Sequence, residues 1–483
     1  MSGSFHSGQG AVTLAPGGVA VGCDTLNAAG LFFVPNVDGH GLLRIAVSPE
    51  RLIKAGFTPR ALDESWLRDW LRGDADPCRT PFEGMQRLLP GQELRVDVDG
   101  TVRVRNLVGP DVWSPPDLDG PDAEQALIEA FDAAVADLVD GQDEVFCELS
   151  GGLDSTFMVS SLARRGEGPQ SIRAFTHIPH ADAVISDDQW VPSDESAAHD
   201  LAAMYAERVN WEALSNESGR GPLQMARLVS GRAWWPAFGP GNLEWMDTIR
   251  TRVAAEGGAA VWVGVHGNAA FSSPHTYARS QTPGAWRRAA RRVPRYRRSG
   301  LQPTQHLQLL IEPAAPAPAA DRDRYLRWLA GHTQVHAALM SPDAFAVPSI
   351  DPFRHRWVLD TAARIKPEAW QRPGMRRGLA RSAGRGRVPD VVRLRDARGA
   401  QGADVWRGMY SDRHTYLDQV ELLADTVAVC DSVDIVAVRA EVTSWSWGNP
   451  TPPGRAGIAQ INRVLAFADF VRVMSDRLRS LPH

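Results

Sequence analysis

Lysine is almost absent from this chain. Of its 52 basic residues only Lys54 and Lys366 are lysines, and all the others are arginines. Arginine stays protonated in proteins, so it stabilises negative charge but does not carry protons. Any reaction that needs a lysine as a base or a nucleophile is therefore restricted to two positions.

Cysteine is also scarce. Cys23, Cys78, Cys147 and Cys430 show no Cys-x-x-Cys spacing, which argues against a disulfide framework or a cysteine zinc site. The sequence shows no signal peptide and no run of about 18 apolar residues, so we expect a cytoplasmic protein without a transmembrane segment. The net charge of −5 gives no reason to expect a nucleic-acid partner.

The first part of the chain reads as β-rich. Residues 1–108 contain short apolar runs between Gly, Pro and Asp turns, and residues 94–104 (LRVDVDGTVRV) alternate around an Asp-Gly pair, which is typical of a hairpin. One helix is expected over residues 63–71. The polar, proline-rich residues 109–122 are expected to form a linker.

The second part, residues 123–483, alternates helices with strands. Helical periodicity over 123–139 precedes an apolar strand ending at Leu149, and a strand over 171–178 precedes a helix over 193–207. A further strand is expected over 259–265. This alternation predicts an α/β fold with a parallel sheet covered by helices on both faces.

The segment VFCELSGGLDS, residues 145–155, ends an apolar strand in glycines, serines and one carboxylate. A helix N-terminus binds phosphate readily, and glycines let the backbone approach such a ligand. Ser150 and Ser155 would add hydroxyl donors. Asp154 beside a phosphate needs a cation between them, and Mg²⁺ held by one carboxylate and phosphate oxygens is the usual arrangement. The alternative is a glycine-rich turn with a polar cap.

Comparison with known phosphate-binding motifs indicates which kind of loop this segment resembles. The P-loop pattern GxxxxGK[ST] and the dinucleotide pattern GxGxxG do not occur at this loop. SGGLDS between a strand and a helix instead resembles the loop of the PP-loop ATP pyrophosphatases, which cleave ATP between its α- and β-phosphates. The resemblance implies ATP and Mg²⁺, with Asp154 as the metal ligand.

The resemblance extends to the asparagine synthetases. Residues 80–100 (TPFEGMQRLLPGQELRVDVDG) are similar to the end of their glutaminase-like (Ntn) domain, and AFTHI followed by SDES is similar to the second strand of their synthetase domain. Ser2 stands where the glutaminase needs its N-terminal cysteine. The resemblance therefore implies an inactive glutaminase-like domain over 1–108, a linker, and a synthetase domain over 123–483.

Three later segments resemble the macrolactam synthetases of lasso-peptide pathways. These are GVHGNAAFS (264–272), IDPFRHRWVLDTAARI (350–365) and ARGAQGADVW (397–406). The resemblance implies that an Asp or Glu side chain of a precursor peptide is adenylated and then joined to the peptide's N-terminal amine. It also implies two protein partners, a leader-peptide recognition protein and a leader protease.

The sequence departs from its relatives at three places. Asn268 stands where many relatives hold a second metal with Asp, and His355 stands where Asp is usual. Relatives with a catalytic lysine place it near residues 395–398, where this chain has only Arg395 and Arg398, and Lys366 lies too far back.

The resemblance implies a set of site residues. The proposed catalytic residues are Arg398, Asp154 and His266. The ATP- and pyrophosphate-binding set is Leu149, Ser150, Gly151, Gly152, Asp154, Ser155, Phe175, Thr176, Gly264, Gly267 and Asn268. Further candidates for contacts with substrate or ATP are Asp194, Glu195, Arg395 and Asp404.

Several of these residues have a second interpretation. Arg398 is either an electrostatic catalyst or a surface arginine, and His266 is either the base for the attacking amine or a hydrogen-bonding anchor. Acidic residues such as Asp194 and Glu195 suit the first turn of any helix. Asp404 either positions substrate or caps a helix. The alternative functions are a β-lactam- or asparagine-type ligase acting on a small substrate, and a catalytically degenerate peptide-binding scaffold.

Overall fold

The structure is a computed structural model. It describes residues 4–7, 10–15, 18–25, 29–35, 43–72, 75–97, 99–107, 116–166, 168–183, 190–191, 193–272, 337–372, 374–395, 398–399, 402–426, 433–445, 447 and 455–481.

Fifteen strands and fifteen α-helices are present in these ranges. In chain order the strands are β1 (Ser4–Ser7), β2 (Gly10–Ala15), β3 (Gly18–Cys23), β4 (Leu31–Val34), β5 (Arg44–Ala46), β6 (Gln86–Leu88), β7 (Gln92–Asp97), β8 (Val102–Asn106), β9 (Glu144–Glu148), β10 (Ser171–Ile178), β11 (Trp190–Val191), β12 (Val209–Ser215), β13 (Val261–Trp262), β14 (Ser349–Ile350) and β15 (Arg398–Gly399). The helices are α1 (Pro49–Lys54), α2 (Glu64–Arg72), α3 (Gly120–Val139), α4 (Leu153–Arg164), α5 (Glu195–Met204), α6 (Pro222–Ala233), α7 (Leu243–Ala255), α8 (Ala337–Met340), α9 (Arg356–Arg364), α10 (Gly378–Ala383), α11 (Asp390–Arg393), α12 (Val405–Ser411), α13 (Arg413–Glu421), α14 (Ile435–Ser444) and α15 (Arg455–Arg479).

The first part of the chain forms two antiparallel sheets, in the strand orders β1-β2-β3-β7-β8 and β5-β4-β6. The predicted hairpin is confirmed, because β7 pairs with β8 and Leu94 faces Val104 across the Asp-Gly turn. The expected helix forms as α2. The sequence analysis did not predict α1, a short helix that begins at Pro49.

The second part contains one five-stranded sheet in which every strand pair is parallel, in the order β12-β10-β9-β13-β14. Side chains alternate along β9: Val145 and Cys147 pack in the apolar cluster of α3 and α4, whereas Phe146 packs with residues of α7. Both faces of the sheet are therefore buried under helices, as a parallel sheet requires. The predicted parallel α/β sheet is confirmed.

Two boundaries differ from the expectation. The strand expected over 259–265 is reduced to β13, because the chain turns at Gly264 after Val263 donates its last bond to Ile350, N to O 2.8 Å. Helix α3 begins at Gly120, inside the expected linker, and the Asp119 side chain accepts from the Gly120 N–H at 2.8 Å.

The first part of the chain shares an apolar core with the last helix. Trp66 and Trp70 of α2 contact Trp235 and Phe467, with ring centroids 5.1 Å and 5.0 Å apart. The division at residue 108 stays a prediction. In the described part of the chain, none of the helices combines the length and the apolar character that a membrane crossing needs.

Candidate functional site

The SGGLDS loop lies at the carboxyl end of β9, the central strand of the parallel sheet. This is the edge where ligands bind in open α/β sheets. Gly151 has φ of +60°, which favours glycine, and α4 begins two residues later at Leu153. The hydroxyls of Ser150 and Ser155 lie 3.0 Å apart, and the Ser150 N–H donates to Ser155 Oγ at 3.1 Å. The loop is thus closed on itself around two hydroxyl groups.

Strand β10 fixes the start of this loop. The Leu149 N–H donates to the Phe175 carbonyl at 2.8 Å, and the Thr176 hydroxyl donates to the Leu149 carbonyl at 2.6 Å. The indole N–H of Trp211 donates to Thr176 Oγ1 at 2.8 Å. Three residues predicted from sequence, Leu149, Phe175 and Thr176, are therefore brought together at one edge of the sheet.

A second turn closes against the loop from the side of β13. A Cβ atom added at Gly264 would lie 3.2 Å from the Ser155 nitrogen. One added at Gly267 would collide with the Asp154 side chain, at 2.5 Å from Cγ and 2.7 Å from Oδ1. The close approach of this turn to the loop therefore requires glycine at 267 and favours it at 264, which supports their place in the predicted site.

The start of α5 closes the loop on its other side. A Cβ added at Gly151 would lie 2.9 Å from both the Asp194 carbonyl oxygen and the Ala197 Cβ. The Asp194 carboxylate forms an ion pair with Arg395. Burial raises the pKa of Asp194, and Arg395 opposes that rise. Asp194 and Arg395 are thus placed beside the loop, while Glu195 is exposed in the first turn of α5.

His266 is held on both sides of its ring. Asp351 accepts from its backbone N–H at 2.9 Å and lies 2.7 Å from Nδ1, and the Arg354 guanidinium lies 3.3 Å from Nε2. The imidazole is only 1% exposed. This geometry favours the anchor interpretation over the base, because both ring nitrogens face protein partners. The anchor places Gly267, the next residue, against Asp154.

Burial has a large effect on the carboxyl group that holds His266. It raises the pKa of Asp351 to about 7, against the backbone N–H of His266 and the charge of Arg354. Arg354 also donates from Nε to the Thr25 carbonyl at 2.9 Å. The first part of the chain therefore contacts the residues that support the site.

Cys23, the cysteine nearest the N-terminus in sequence, is not a usable nucleophile. It is 2% exposed, and burial raises its pKa to about 12 even though Arg87 and Arg354 are close. A thiol in this state carries almost no thiolate near neutral pH. Ser2 lies outside the described residues.

Asn268 opens a short π-helical turn, Asn268–Ser272. Its side-chain oxygen accepts from Arg377 at 3.0 Å and from the Ser272 hydroxyl at 3.3 Å. This oxygen is therefore already engaged by a cation of the protein. The asparagine that this chain has in place of Asp therefore has a hydrogen-bond partner in the fold, namely Arg377.

The carboxylates near the loop fit a Mg²⁺ ion that is shared between one carboxylate and the phosphates of a substrate. Within the described ranges no group of three or more His, Cys, Asp or Glu side chains could enclose a metal ion. Mg²⁺ usually keeps waters and is held by one or two carboxylates plus substrate phosphates. Asp154, in the first turn of α4 and enclosed by Gly264 and Gly267, suits that arrangement.

A buried ion pair lies directly behind the loop. Glu148, the last residue of β9, accepts from Arg250 of α7 at 2.5 Å, and Arg250 also donates to Ser349 Oγ of β14 at 2.8 Å. Burial raises the pKa of Glu148, and Arg250 opposes it. Arg250 thus joins β9 to β14 across β13 and fixes the strands on which Asp154 and Asp351 depend.

Asp404 occupies a polar cluster beyond the ends of β10 and β12. Its Oδ2 accepts from Asn216 Nδ2 at 3.1 Å and from the His180 N–H at 3.4 Å, and lies 3.6 Å from His177 Nε2. Burial opposes its ionisation, but His177 and the backbone donors outweigh that effect and its pKa is lowered. Its side chain makes no capping bond to α12, so a positioning role is favoured over a cap.

The remaining candidates are less informative. The backbone of Arg398 pairs with Trp190, but its side chain lies outside the described residues. His355 accepts from the Trp357 N–H at 3.3 Å and so caps α9, the task a carboxylate would perform there. Lys366 lies 3.6 Å from Asp119, beside the start of α3.

Sequence reasoning missed Glu148, Arg250, Asp351, Arg377 and His177. Glu148 had a signal, since a carboxylate inside the apolar run VFCEL needs a buried partner. Asp351 had one too, as a carboxylate directly after a strand and before Pro352. Arg250 and Arg377 carried no local signal, because their partners lie 102 and 109 residues away.

Part of the chain is similar to a known protein family. Residues 126–209, about a sixth of the chain, match the family model for asparagine synthase. The matched range contains β9, the SGGLDS loop, α4, β10 and α5. The match supports an asparagine-synthetase-like family and suggests an ATP-dependent, amide-forming carbon–nitrogen ligase. No curated protein matches the chain.

Proposed function

We propose that the protein is an ATP-dependent macrolactam synthetase acting on a precursor peptide in lasso-peptide biosynthesis. The observation that carries the proposal is the SGGLDS loop at the end of β9, enclosed by Gly264 and Gly267 on one side and Asp194 on the other. The family match over residues 126–209 supports the use of ATP.

In the first step an Asp or Glu side-chain carboxylate of the peptide attacks the α-phosphate of ATP, and the bond to pyrophosphate breaks. Ser150, Ser155 and the N-terminus of α4 bind the leaving pyrophosphate. Asp154 is the residue that would hold a Mg²⁺ ion there, and such an ion would supply positive charge beside the phosphates. Backbone groups of Phe175 and Thr176 receive the adenine, and Gly151, Gly152, Leu149 and Asn268 complete the nucleotide site.

In the second step the peptide's own α-amine attacks the acyl-adenylate. The new carbon–nitrogen bond closes the ring. The bond between the acyl carbon and the phosphate oxygen of AMP breaks, and AMP leaves with the electron pair of that bond. Arg398 and Arg395 are the cations that this chain offers for the charge developing on AMP. The main contribution of the protein is to hold the two ends of a long peptide together, because positioning replaces an improbable loop closure.

The peptide assignment rests on residues 264–272, 350–365 and 397–406 and on Ser2 in place of a glutaminase cysteine. Without ammonia from glutamine, the amine comes with the substrate. The proposal includes a leader-peptide recognition protein and a leader protease as partners, and a cytoplasmic location.

The test is incubation of the purified protein with ATP and Mg²⁺, following AMP and pyrophosphate. One sample receives synthetic peptides with a free N-terminal amine and one Asp or Glu moved through successive positions. The other receives aspartate and ammonia. Peptide-dependent AMP release with loss of one water from the peptide supports the proposal, and AMP release with aspartate alone as acyl donor overturns it.

A second candidate is a ligase that makes an asparagine-like amide or a β-lactam from a small substrate. The family match favours it as much as the first, because it names asparagine synthase and ends before the segments that suggest a peptide. The aspartate sample above tests it. The third candidate, a degenerate scaffold, is motivated by Asn268, whose oxygen binds Arg377, and requires that Asp154→Ala leave product formation unchanged.

A further inference from the structure

We propose that His177, oriented by Asp404, is the general base that takes the proton of the attacking amine. This inference rests on the proposed function, because it assigns a residue to the second step of that reaction.

His177 lies beside the SGGLDS loop. Strand β10 pairs with β9 as far as Phe175 and Glu148, and Phe175 accepts the N–H of Leu149. His177 is the second residue beyond Phe175 and is still within β10, where it pairs with Leu214 of β12. Since adjacent strands lie about 4.8 Å apart, His177 lies roughly level with Ser150, where the loop begins.

The imidazole lies on the α7 side of the sheet, opposite to α4. Side chains alternate along a strand, so His177 shares a face with Phe175, which packs in the cluster of α7. Its ring stacks on Trp245 of α7 with centroids 6.0 Å apart and an interplanar angle of 25°. The pyrophosphate loop leads into α4 on the other face, so the pyrophosphate released in the first step and the base of the second step lie on opposite sides of the sheet edge.

The two nitrogens of the ring differ in their surroundings. Nε2 lies 3.6 Å from Oδ2 of Asp404, whose side chain is 4% exposed. That distance is an ion-pair contact and not a hydrogen bond, and Nε2 is buried; Nδ1 is not fully buried, although the side chain is only 9% exposed, and it makes no hydrogen bond among the described residues. An imidazole with one nitrogen facing a buried carboxylate and the other without a protein partner is the arrangement of a general base with its orienting acid.

Asp404 is suited to stabilise the imidazolium that would form. Asn216 and the His180 backbone N–H hold its Oδ2, and its lowered pKa keeps it ionised. Asp404 is therefore a positioning residue, and its charge offsets the positive charge that His177 acquires with the proton.

His180, the neighbouring histidine, does not meet this description. Its Nδ1 accepts from the Asp182 N–H at 3.1 Å, and its Nε2 lies 3.4 Å from Glu217. Both of its nitrogens thus face protein groups. Two other charged groups lie near the cluster. One is Glu244 of α7, whose pKa is raised by burial and by the charge of Asp404. The other is Arg407, which donates to the Asn216 carbonyl at 3.0 Å.

The proton balance is complete without another reactant. The amine nitrogen bonds to the acyl carbon, one of its protons moves to Nδ1 of His177, and AMP leaves with the electron pair of the broken carbon–oxygen bond. After AMP has left, the imidazolium returns the proton to solvent.

The experiment separates the two steps in the full-length protein with the synthetic peptides described above. Adenylation is followed as hydroxamate, because hydroxylamine is a free base near neutral pH and traps acyl-adenylates without a general base. Amide formation is followed as loss of water from the peptide. The variants are His177→Gln and Asp404→Asn, and the matched control is His414→Gln, on the exposed face of α13.

We expect His177→Gln to form hydroxamate at the wild-type rate but to lose amide formation by about 10²-fold. Asp404→Asn should also keep hydroxamate formation and lose amide formation, but with a smaller loss than His177→Gln. His414→Gln should match the wild type in both. Added imidazole should partly restore amide formation to His177→Ala.

Three outcomes would overturn the assignment: equal loss of hydroxamate and amide, wild-type amide formation by His177→Gln, or loss in His180→Gln instead. Absence of hydroxamate and of AMP from the wild-type protein with every peptide would contradict the proposed function itself, so the two failures are distinguishable.

Discussion

Gly267 should be the most sensitive position of the site outside the loop itself. An alanine there would put its Cβ 2.5 Å from Cγ of Asp154 and 2.7 Å from Oδ1. Carbon atoms in contact are normally about 3.5–4.0 Å apart, so either the turn or Asp154 must move by roughly 1 Å. Overpacking of this kind costs about 1–3 kcal/mol, and a displacement of about 1 Å at a reacting centre lowers the rate by roughly 10²-fold.

The assay is hydroxamate formation by Gly267→Ala with ATP and Mg²⁺, together with its free energy of unfolding in urea. Gly264→Ala, whose Cβ would lie 3.2 Å from the Ser155 nitrogen, should lose less activity. Gly166→Ala is the matched control, because a Cβ there meets nothing within 4 Å. Wild-type adenylation by Gly267→Ala would refute the argument that this turn fixes the Asp154 carboxylate.

Three further predictions concern the residues around the site. Arg250→Met should lower the free energy of unfolding, measured in urea, by about 3–5 kcal/mol because it leaves Glu148 buried without its cation. The double variant Arg250→Met with Glu148→Leu should recover most of that lost stability. The pKa of Asp351 is higher in the folded chain than in the unfolded chain, so the contribution of Asp351 to stability should fall as the pH rises from 3.8 to about 7. Asp351→Asn should flatten that part of the plot of unfolding free energy against pH, and an unchanged slope would contradict the burial argument. Cys23 should resist iodoacetamide at about pH 8 until the chain is unfolded, as seen by mass spectrometry, and rapid labelling of the folded protein would contradict its raised pKa.

The elements that the sequence predicted correctly are those with strong local patterns. The hairpin of β7 and β8 follows from an Asp-Gly turn, and the strand of residues 171–178 forms with the predicted bounds. The SGGLDS loop is also local, because its glycines and its Ser150–Ser155 contact lie within a few residues. Such patterns depend on neighbouring residues, which is why they can be read from one sequence.

The parts that could not be predicted depend on contacts between distant segments. The contact that favours an anchor over a base at His266 comes from Asp351, 85 residues away. The partner of Asn268 is Arg377, and the need for glycine at 267 arises from Asp154 on another element. A single sequence does not carry these pairings, so it leaves the alternatives at those positions open.

The central claim is that this chain splits ATP to AMP and pyrophosphate in order to close an amide within a peptide. The most direct measurement is a reaction with ATP, Mg²⁺ and the peptides of moving Asp or Glu position, with nucleotides and peptide mass analysed in the same sample. The account predicts AMP and a peptide lighter by one water, both lost in Asp154→Asn. Release of ADP, or AMP formed with every peptide left at its original mass, would contradict it.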